Sequence, residues 1–474
     1  MTAAEPSSPP LTPEQIDTFL RDGILVVDDL LGPERIIEAH RGLARTLKEE
    51  CDVDVHDLEG TGCNLARVSS TNGAGGVLDI FYPEWKMKIA TDETLFGMTC
   101  QIWKEAYCHS GETLEDMING GESSRRNNDG EELENNDGDQ GLDDVSFKWH
   151  PFGAFDYKKG YMYIDRIGYR IPTELAKRLG KKLATNATIQ SKQQNDTSVI
   201  ATMDVPKKKM SKPRPIQRCL TPHFDCCPET YHDATSKNKW RPIQCFVSLT
   251  DNLLPSTGGF EAVPGFHREF RSWSDNGRRQ SSYAASTSLT NDDDDEQLQT
   301  QQPHPKPCVG EYTHLSPSLD RSIMRRMQHI PVRAGSAVFW DNRIPQGNSY
   351  RNDPPPVNND NDGCNRACDE NIIDNAPLVA DALGTSGSRA VVYCSFLPDV
   401  GANRSFVRRQ LEDWKLRRVP RVGDRWIRQD DKNEEENSDG SAGADEAMRV
   451  QIDKARTENL LELQSRLIGL VEWT

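Results

Sequence analysis

The stretch Thr221-Pro222-His223-Phe224-Asp225 constrains this chain most: a histidine and an aspartate one residue apart, bounded by Pro222 and Pro228. On a β-strand alternate side chains point the same way, so His223 and Asp225 share one face while Phe224 packs behind them. One imidazole and one carboxylate make two thirds of the 2-His-1-carboxylate site that holds non-haem Fe(II) and leaves positions open. Alone the triplet decides little, because a strand histidine is more often hydrogen-bonded than metallated. The segments C-terminal to it give it weight.

A hydrophobic strand, Trp240 to Leu249, comes next, and then Gly258-Gly259-Phe260-Glu261-Ala262-Val263-Pro264-Gly265-Phe266-His267. Later come Gly335-Ser336-Ala337-Val338-Phe339-Trp340-Asp341-Asn342-Arg343 and Ser388-Arg389-Ala390-Val391-Val392-Tyr393. Alternation along the first strand sets Gln244, Phe246 and Ser248 against Ile243, Cys245 and Val247, so Gln244 can face a pocket and donate its amide to a bound carboxylate. This order of parts resembles the phytanoyl-CoA dioxygenase family of Fe(II)/2-oxoglutarate-dependent oxygenases, over roughly residues 12 to 400 with interruptions.

The resemblance implies a mainly β fold with flanking helices (α+β), its core a double-stranded β-helix of the jelly-roll or cupin kind. It implies Fe(II) as cofactor, 2-oxoglutarate as co-substrate, and hydroxylation of a small organic or lipid-derived substrate. His223 and Asp225 match two metal ligands and the catalytic centre. Arg389 matches the cation that receives the distal carboxylate of 2-oxoglutarate, a task suited to a planar two-pronged donor. His267 ends a P-G-x-H turn that in the family is not the iron ligand. The second iron histidine of the family follows a G-x-x-V-F-W-D-x-R-x-P-H turn, and here that position is Gln346. Glutamine offers only a neutral amide oxygen, a weak ligand beside imidazole. Three readings stay open: metal held by His223, Asp225 and a weak third position at Gln346; another histidine among His267, His304, His314 and His329 swinging in; or a catalytically silent jelly-roll that binds a ligand or partner.

The net charge of −17 comes from 57 basic against 74 acidic residues. Much of the acid lies in runs such as Asp292 to Glu296, which read as solvated loops, and an acidic chain is a poor general nucleic-acid binder. Twelve irregularly spaced cysteines are not a disulfide scaffold, and Cys364 and Cys368 lack further zinc ligands nearby, so reduced thiols are expected. No signal peptide and no bilayer-length apolar run is present, giving the expectation of an intracellular, cytoplasmic monomer acting on a small molecule, without nucleic acid or membrane.

Only 35% of the residues are hydrophobic, which fits a folded core carrying unpacked insertions. The expected organisation is a flexible leader at 1–11 and one domain at 12–428 with polar insertions near 111–145, 187–215, 274–310 and 352–386. A linker at 429–446 and a C-terminal helix at 447–474 packed on the core complete it. Thr12, Pro13 and Gln15 predict a capped helix ending at Asp22-Gly23, then a strand Ile24 to Val27 and a helix from Pro33. Residues 161–170 alternate as one strand that puts Arg166 and Arg170 on a common face, with an ion pair to Asp165 the favoured role for the charge. The run Pro206 to Arg214 is basic and reads as a linker or an import signal.

Overall fold

The structure is a computed structural model that describes residues 11–108, 147–195, 213–228, 230–231, 233–236, 239–274, 308–309, 312–353, 387–420 and 460–473. Most of the acidic insertions, His304, Cys364, Cys368 and residues 206–212 lie outside the described residues.

The first helix, Pro13–Asp22, forms as its sequence dictates. Thr12 accepts from the Gln15 amide at 3.2 Å, the Gln15 side chain accepts from the Thr12 amide at 2.9 Å, and Pro13 fills the first position. Gly23, at φ 65°, ends it in a left-handed conformation that a side chain would strain. The chain then enters β1 (Ile24–Val27) and the helix Pro33–Cys51, which buries Ile36, Ala39, Leu43 and Leu47 on one stripe.

The remaining strands are β2 (Val77–Leu78), β3 (Gly160–Tyr163), β4 (Ile167–Arg170), β5 (His223–Phe224), β6 (Ile243–Ser248), β7 (Phe260–Ala262) and β8 (Cys308–Val309). They continue with β9 (Tyr312–His314), β10 (Gln328–His329), β11 (Ala337–Asp341), β12 (Gln346–Asn348), β13 (Arg389–Tyr393) and β14 (Ser395–Pro398). One six-stranded sheet runs β1-β11-β6-β13-β4-β2, a second runs β10-β7-β12-β5-β9-β8, and β14 pairs β3. Pairing between these strands is antiparallel. Along the chain β4, β5, β6, β7, β11, β12 and β13 fall alternately in the first and second sheet. Antiparallel sheets with helices make this a mixed α+β fold.

Period-two alternation sorts the first sheet's side chains into two cores. Ile24, Phe246, Val338, Trp340 and Val391 meet Phe224, Phe260 and Ala262 of the second sheet, with Phe266 and Phe270 from the helix Phe266–Ser272. From the other face, Leu25, Cys245, Val247, Phe339 and Val392 share a core with Leu43 and Leu47 of the second helix and with Ile89, Leu95, Ile102 and Trp103. The last four belong to the helices Glu84–Ala90 and Glu93–Ala106. Burial on both faces is why β11 reads as a nearly unbroken apolar run from Ala337 to Trp340.

The structure departs from the sequence expectations at several places. Residues 161–170 are two strands, not one: β3 pairs β14 while β4 pairs β13 and β2. The pleat is reset between them, so Arg166 sits in the connection and does not share a strand face with Arg170. The expected insertion at 187–215 begins later, because the helix Thr173–Asn195 continues into it and the chain is described again from residue 213. Gly258 to His267 holds β7 and the start of a helix rather than a loop alone. Of the C-terminal helix, the described part is Glu462–Leu467, followed by Trp473, which stacks on Phe96 at 5.9 Å and donates Nε1 to the Gly160 carbonyl at 2.7 Å. Cys51, Cys63, Cys100, Cys108, Cys219, Cys226, Cys245 and Cys394 are free as expected, but Cys227 is disulfide-bonded. Among the described residues no helix is long and apolar enough to cross a membrane.

Candidate functional site

Nine strands contribute to the lining of one cleft of about 850 Å³, counting its open mouth, and five of them carry the residues that matter most here. β5 supplies His223, with Asp225 just after it; β6 supplies Gln244 and Phe246; β11 supplies Trp340; β12 supplies Gln346 and Asn348; β13 supplies Arg389 and Tyr393. Within β12 the two-residue spacing puts Gln346 and Asn348 on one face, and Gln346 lies opposite His223 in the ladder. Phe224 turns the other way into the apolar core, fully buried, which fixes the direction of its neighbours.

His223 Nδ1 lies 2.8 Å from the Thr221 carbonyl. A carbonyl only accepts, so Nδ1 carries the proton and, in the neutral ring, Nε2 presents its lone pair. That lone pair meets Gln346 Nε2 at 2.8 Å. The same amide nitrogen donates to Asp225 Oδ2 at 2.7 Å, and Gln244 Nε2 donates to that oxygen at 2.6 Å. His223 Nε2 and Asp225 Oδ2 are 3.6 Å apart, and Tyr312 stacks on the imidazole with ring centroids 4.3 Å apart. The two sequence-predicted ligands and Gln346 therefore do converge, and the amide bridges the pair.

The donor set itself shows what this arrangement can hold. As it stands, Gln346 spends one N–H on each acceptor and both are satisfied without a cation. Turned by half a rotation about its last torsion, the amide would aim Oε1 at the Asp225 carboxylate, which is repulsive unless a cation lies between them. Only with the amide so turned would His223 Nε2, Asp225 Oδ2 and Gln346 Oε1 offer three donors to a divalent cation. Among the described residues no group of three or more His, Cys, Asp or Glu side chains could hold a metal. Of the other histidines weighed as a substitute ligand, His267 donates Nε2–H to the Leu20 carbonyl at 3.0 Å and His329 contacts the Asn252 carbonyl at 3.1 Å. His314 Nδ1 is 3.3 Å from Thr221 Oγ1. None of these three lines the cleft.

Arg389 is 2% exposed, and its Nε and Nη1 have no hydrogen-bond partner among the described residues. It stands directly across the ladder from Arg170, a like-charge pairing that is unfavourable without an anion. Burial, and then the Arg389 charge, pushes the Arg170 guanidinium down to about 10. Arg170 is bonded to the carbonyls of Ser349 and Tyr350, at 2.6 and 2.9 Å, so neither arginine of this pair has a carboxylate partner within salt-bridge distance among the described residues. Trp340 Nε1 and Asn348 Oδ1 are also buried without a partner.

The reading of Arg166 as an ion-paired group holds: its Nε is 3.6 Å from Asp165 and its Nη1 4.0 Å from Asp79. Gln244 faces the cleft as its alternation required, though its amide serves Asp225. Sequence reasoning missed Arg241, Tyr312 and Asn348 as lining residues. Asn348 alone carried a signal, the even spacing from Gln346; Tyr312 comes to His223 only through the β5–β9 pairing.

No family model matches the chain, and no curated protein matches it, so the phytanoyl-CoA dioxygenase family named from the motifs is not shown. Among solved structures the chain is similar to a hypothetical protein, JW0805, from Escherichia coli, at 14% identity over 97% of this chain and 81% of that one, with a TM-score of 0.46. It is similar to the product of GlcNAc Inducible Gene 2 from Candida albicans at 12% identity, over 97% and 80% of the two chains, with a TM-score of 0.47. The epimerase SnoN, solved with Fe3+, alpha ketoglutarate and nogalamycin RO, is 11% identical over 81% and 82%, with a TM-score of 0.28. Similarities of this size leave function to the site itself.

Proposed function

We propose that this chain is an Fe(II)- and 2-oxoglutarate-dependent oxygenase of the double-stranded β-helix type, with a weakened third metal ligand at Gln346, acting on a small organic substrate. The strand alternation between two antiparallel sheets supports the fold, and the convergence of His223, Asp225 and Gln346 in one cleft with the unpartnered Arg389 carries the activity.

When bound, iron and 2-oxoglutarate supply the oxidation chemistry; the protein's part is placement and electrostatics. Thr221 holds the His223 ring in the tautomer that presents Nε2, and Tyr312 fixes the ring plane. Gln244 helps orient the Asp225 carboxylate by donating to the same oxygen that Gln346 reaches. Arg389, buried against the Phe246 ring at 5.6 Å, offers a two-pronged cation to a carboxylate. The apolar walls Phe246, Phe260 and Trp340 restrict water.

One observation favours a second reading. The amide bridge satisfies His223 and Asp225 without metal, as a silent binding protein would need. The test is succinate formation from 2-oxoglutarate with Fe(II) under air, in the wild type and in Gln346→His. Slow iron-dependent release that the histidine variant accelerates is the expected result. Absence of release from both proteins at saturating iron would leave the binding protein as the function.

A further inference from the structure

The lone pairs that His223 and Asp225 would give a cation are already taken by amides. In the neutral His223 ring Nδ1 donates to the Thr221 carbonyl at 2.8 Å, so Nε2 keeps one lone pair. Gln346 Nε2 meets it at 2.8 Å. A carboxylate oxygen accepts from two directions in its plane, and at Asp225 Oδ2 two donors arrive: Gln346 Nε2 at 2.7 Å and Gln244 Nε2 at 2.6 Å. The imidazole nitrogen and this oxygen stand 3.6 Å apart, with the Gln346 nitrogen in hydrogen-bond range of both.

The way the Gln346 amide faces follows from its neighbours. Both are acceptors, so the amide presents N–H groups; its oxygen there would meet a lone pair and a negative charge. The backbone holds the side chain in place, because Gln346 pairs with His223 on one side and with Ala262 on the other. Gln346 is 5% exposed and His223 2%, so water replaces these hydrogen bonds poorly when they break. The bond to the carboxylate is charge-assisted and the stronger kind.

We infer that Gln346 is an autoinhibitory latch on this site: its amide closes His223 and Asp225, and a divalent cation enters only where the amide has turned its N–H groups away. In the turned state Oε1 is the weak third donor of the proposed oxygenase, so the inference rests on reading the cleft as a metal site and adds what keeps that site shut. The apparent metal affinity is then the intrinsic affinity multiplied by the fraction of molecules that stand open. Gln244 donates to Asp225 from β6 and stays in place in both states. A ligand and a latch predict opposite results when the side chain is removed. Losing a ligand weakens metal binding; losing a latch strengthens it.

The experiment is equilibrium dialysis of Co(II) against the full-length, chelator-treated wild type, Gln346→Ala and Gln346→His, each checked for folding by its unfolding midpoint. Gln346→Ala should bind Co(II) at least about threefold more tightly than the wild type. Gln346→His should bind tighter still, because it removes the N–H pair and adds a lone pair. A second readout uses the wild type alone, isotope-labelled at its glutamine side chains for NMR. The amide signal that is missing from Gln346→Ala should exchange slowly with solvent in the metal-free protein and lose that protection as Zn(II) binds, while the Gln244 signal keeps it. Equal or weaker Co(II) binding by Gln346→Ala, or a Gln346 signal that saturating Zn(II) leaves unchanged, would overturn the latch and leave the metal-site reading standing. Absence of Co(II) binding in all three proteins would sink that reading and the latch with it.

Discussion

At the scale of single residues, Asp225 Oδ2 accepts two amide hydrogen bonds and His223 Nε2 accepts one, so the two metal-type ligands are tied up by glutamines. A histidine at position 346 would contribute a lone pair in place of an N–H. Gln346→His is therefore expected to raise divalent-metal affinity at least about tenfold, read by Co(II) absorption or by equilibrium dialysis of Fe(II). An unchanged affinity would mean that position 346 does not reach the metal. At the other end, Arg389→Met removes the buried cation that has no partner. The metal-loaded protein should lose 2-oxoglutarate affinity by a factor of roughly ten to a hundred, measured calorimetrically. The same change should not lower the unfolding midpoint, because no protein carboxylate is left unpaired.

At the scale of elements, the helix Gly401–Leu416 fixes the end of the cleft lined by Lys239 and Arg241. Asn403 accepts from the Trp240 amide at 2.6 Å and donates to the carbonyls of Trp240 and Pro398 at 2.8 and 2.7 Å, clamping the residue between Lys239 and Arg241. Gln410, seven positions later and so on the same helical face, bonds the Ile164 amide at 2.8 Å and the Met162 carbonyl at 2.9 Å, bracketing Tyr163. Asn403→Ala would strand three buried backbone groups. It should cost about 3 kcal/mol in urea unfolding. An unfolding free energy equal to that of the wild type would show that the helix does not hold this end of the cleft. The end of β11 and the turn after it carry a second clamp: Asp341 and Arg343, both 1% exposed, pair at 2.5 and 2.8 Å, and Arg343 also donates to the Phe147 carbonyl. Arg343→Met leaves Asp341 charged and buried, and should lower unfolding free energy by about 3 to 5 kcal/mol.

At the scale of the whole molecule, several buried groups have their titration displaced in the same sense with respect to acid. Burial, against a smaller opposing pull from Asp341, lowers the His267 imidazole to about 4. Its folded value lies below the unfolded 6.5, so the unfolded chain binds the extra proton first. The stability that neutral His267 contributes is complete above pH 6.5 and is lost as pH falls toward 4. Burial opposes the charged form of Asp341, but the charge and hydrogen bonds of Arg343 outweigh it and hold the carboxyl below its usual range. Asp399 is likewise lowered, burial being outweighed by hydrogen bonds from Arg404 and Tyr161. Those two contributions survive to lower pH and then fail as the carboxylates protonate. Urea unfolding followed from about pH 7 to about pH 4 should show a falling midpoint, and His267→Leu should flatten that slope. A wild-type midpoint that is level across that interval would contradict the assignment.

Local rules decided a good part of this protein from sequence alone. The capped first helix, the apolar stripe of the second, the inward turn of Gln244 and the shared face of His223 and Asp225 all follow from spacing, because period and capping act within a few residues. The break in 161–170 was not legible, since alternation continues through Asp165 and Arg166 although the partner strand changes from β14 to β13. Nor could sequence say what Gln346 does or that Arg241 and Tyr312 share a cleft with Arg389. Those facts depend on ladder register and on which sheet each strand joins, and both are set by contacts between segments far apart in the chain.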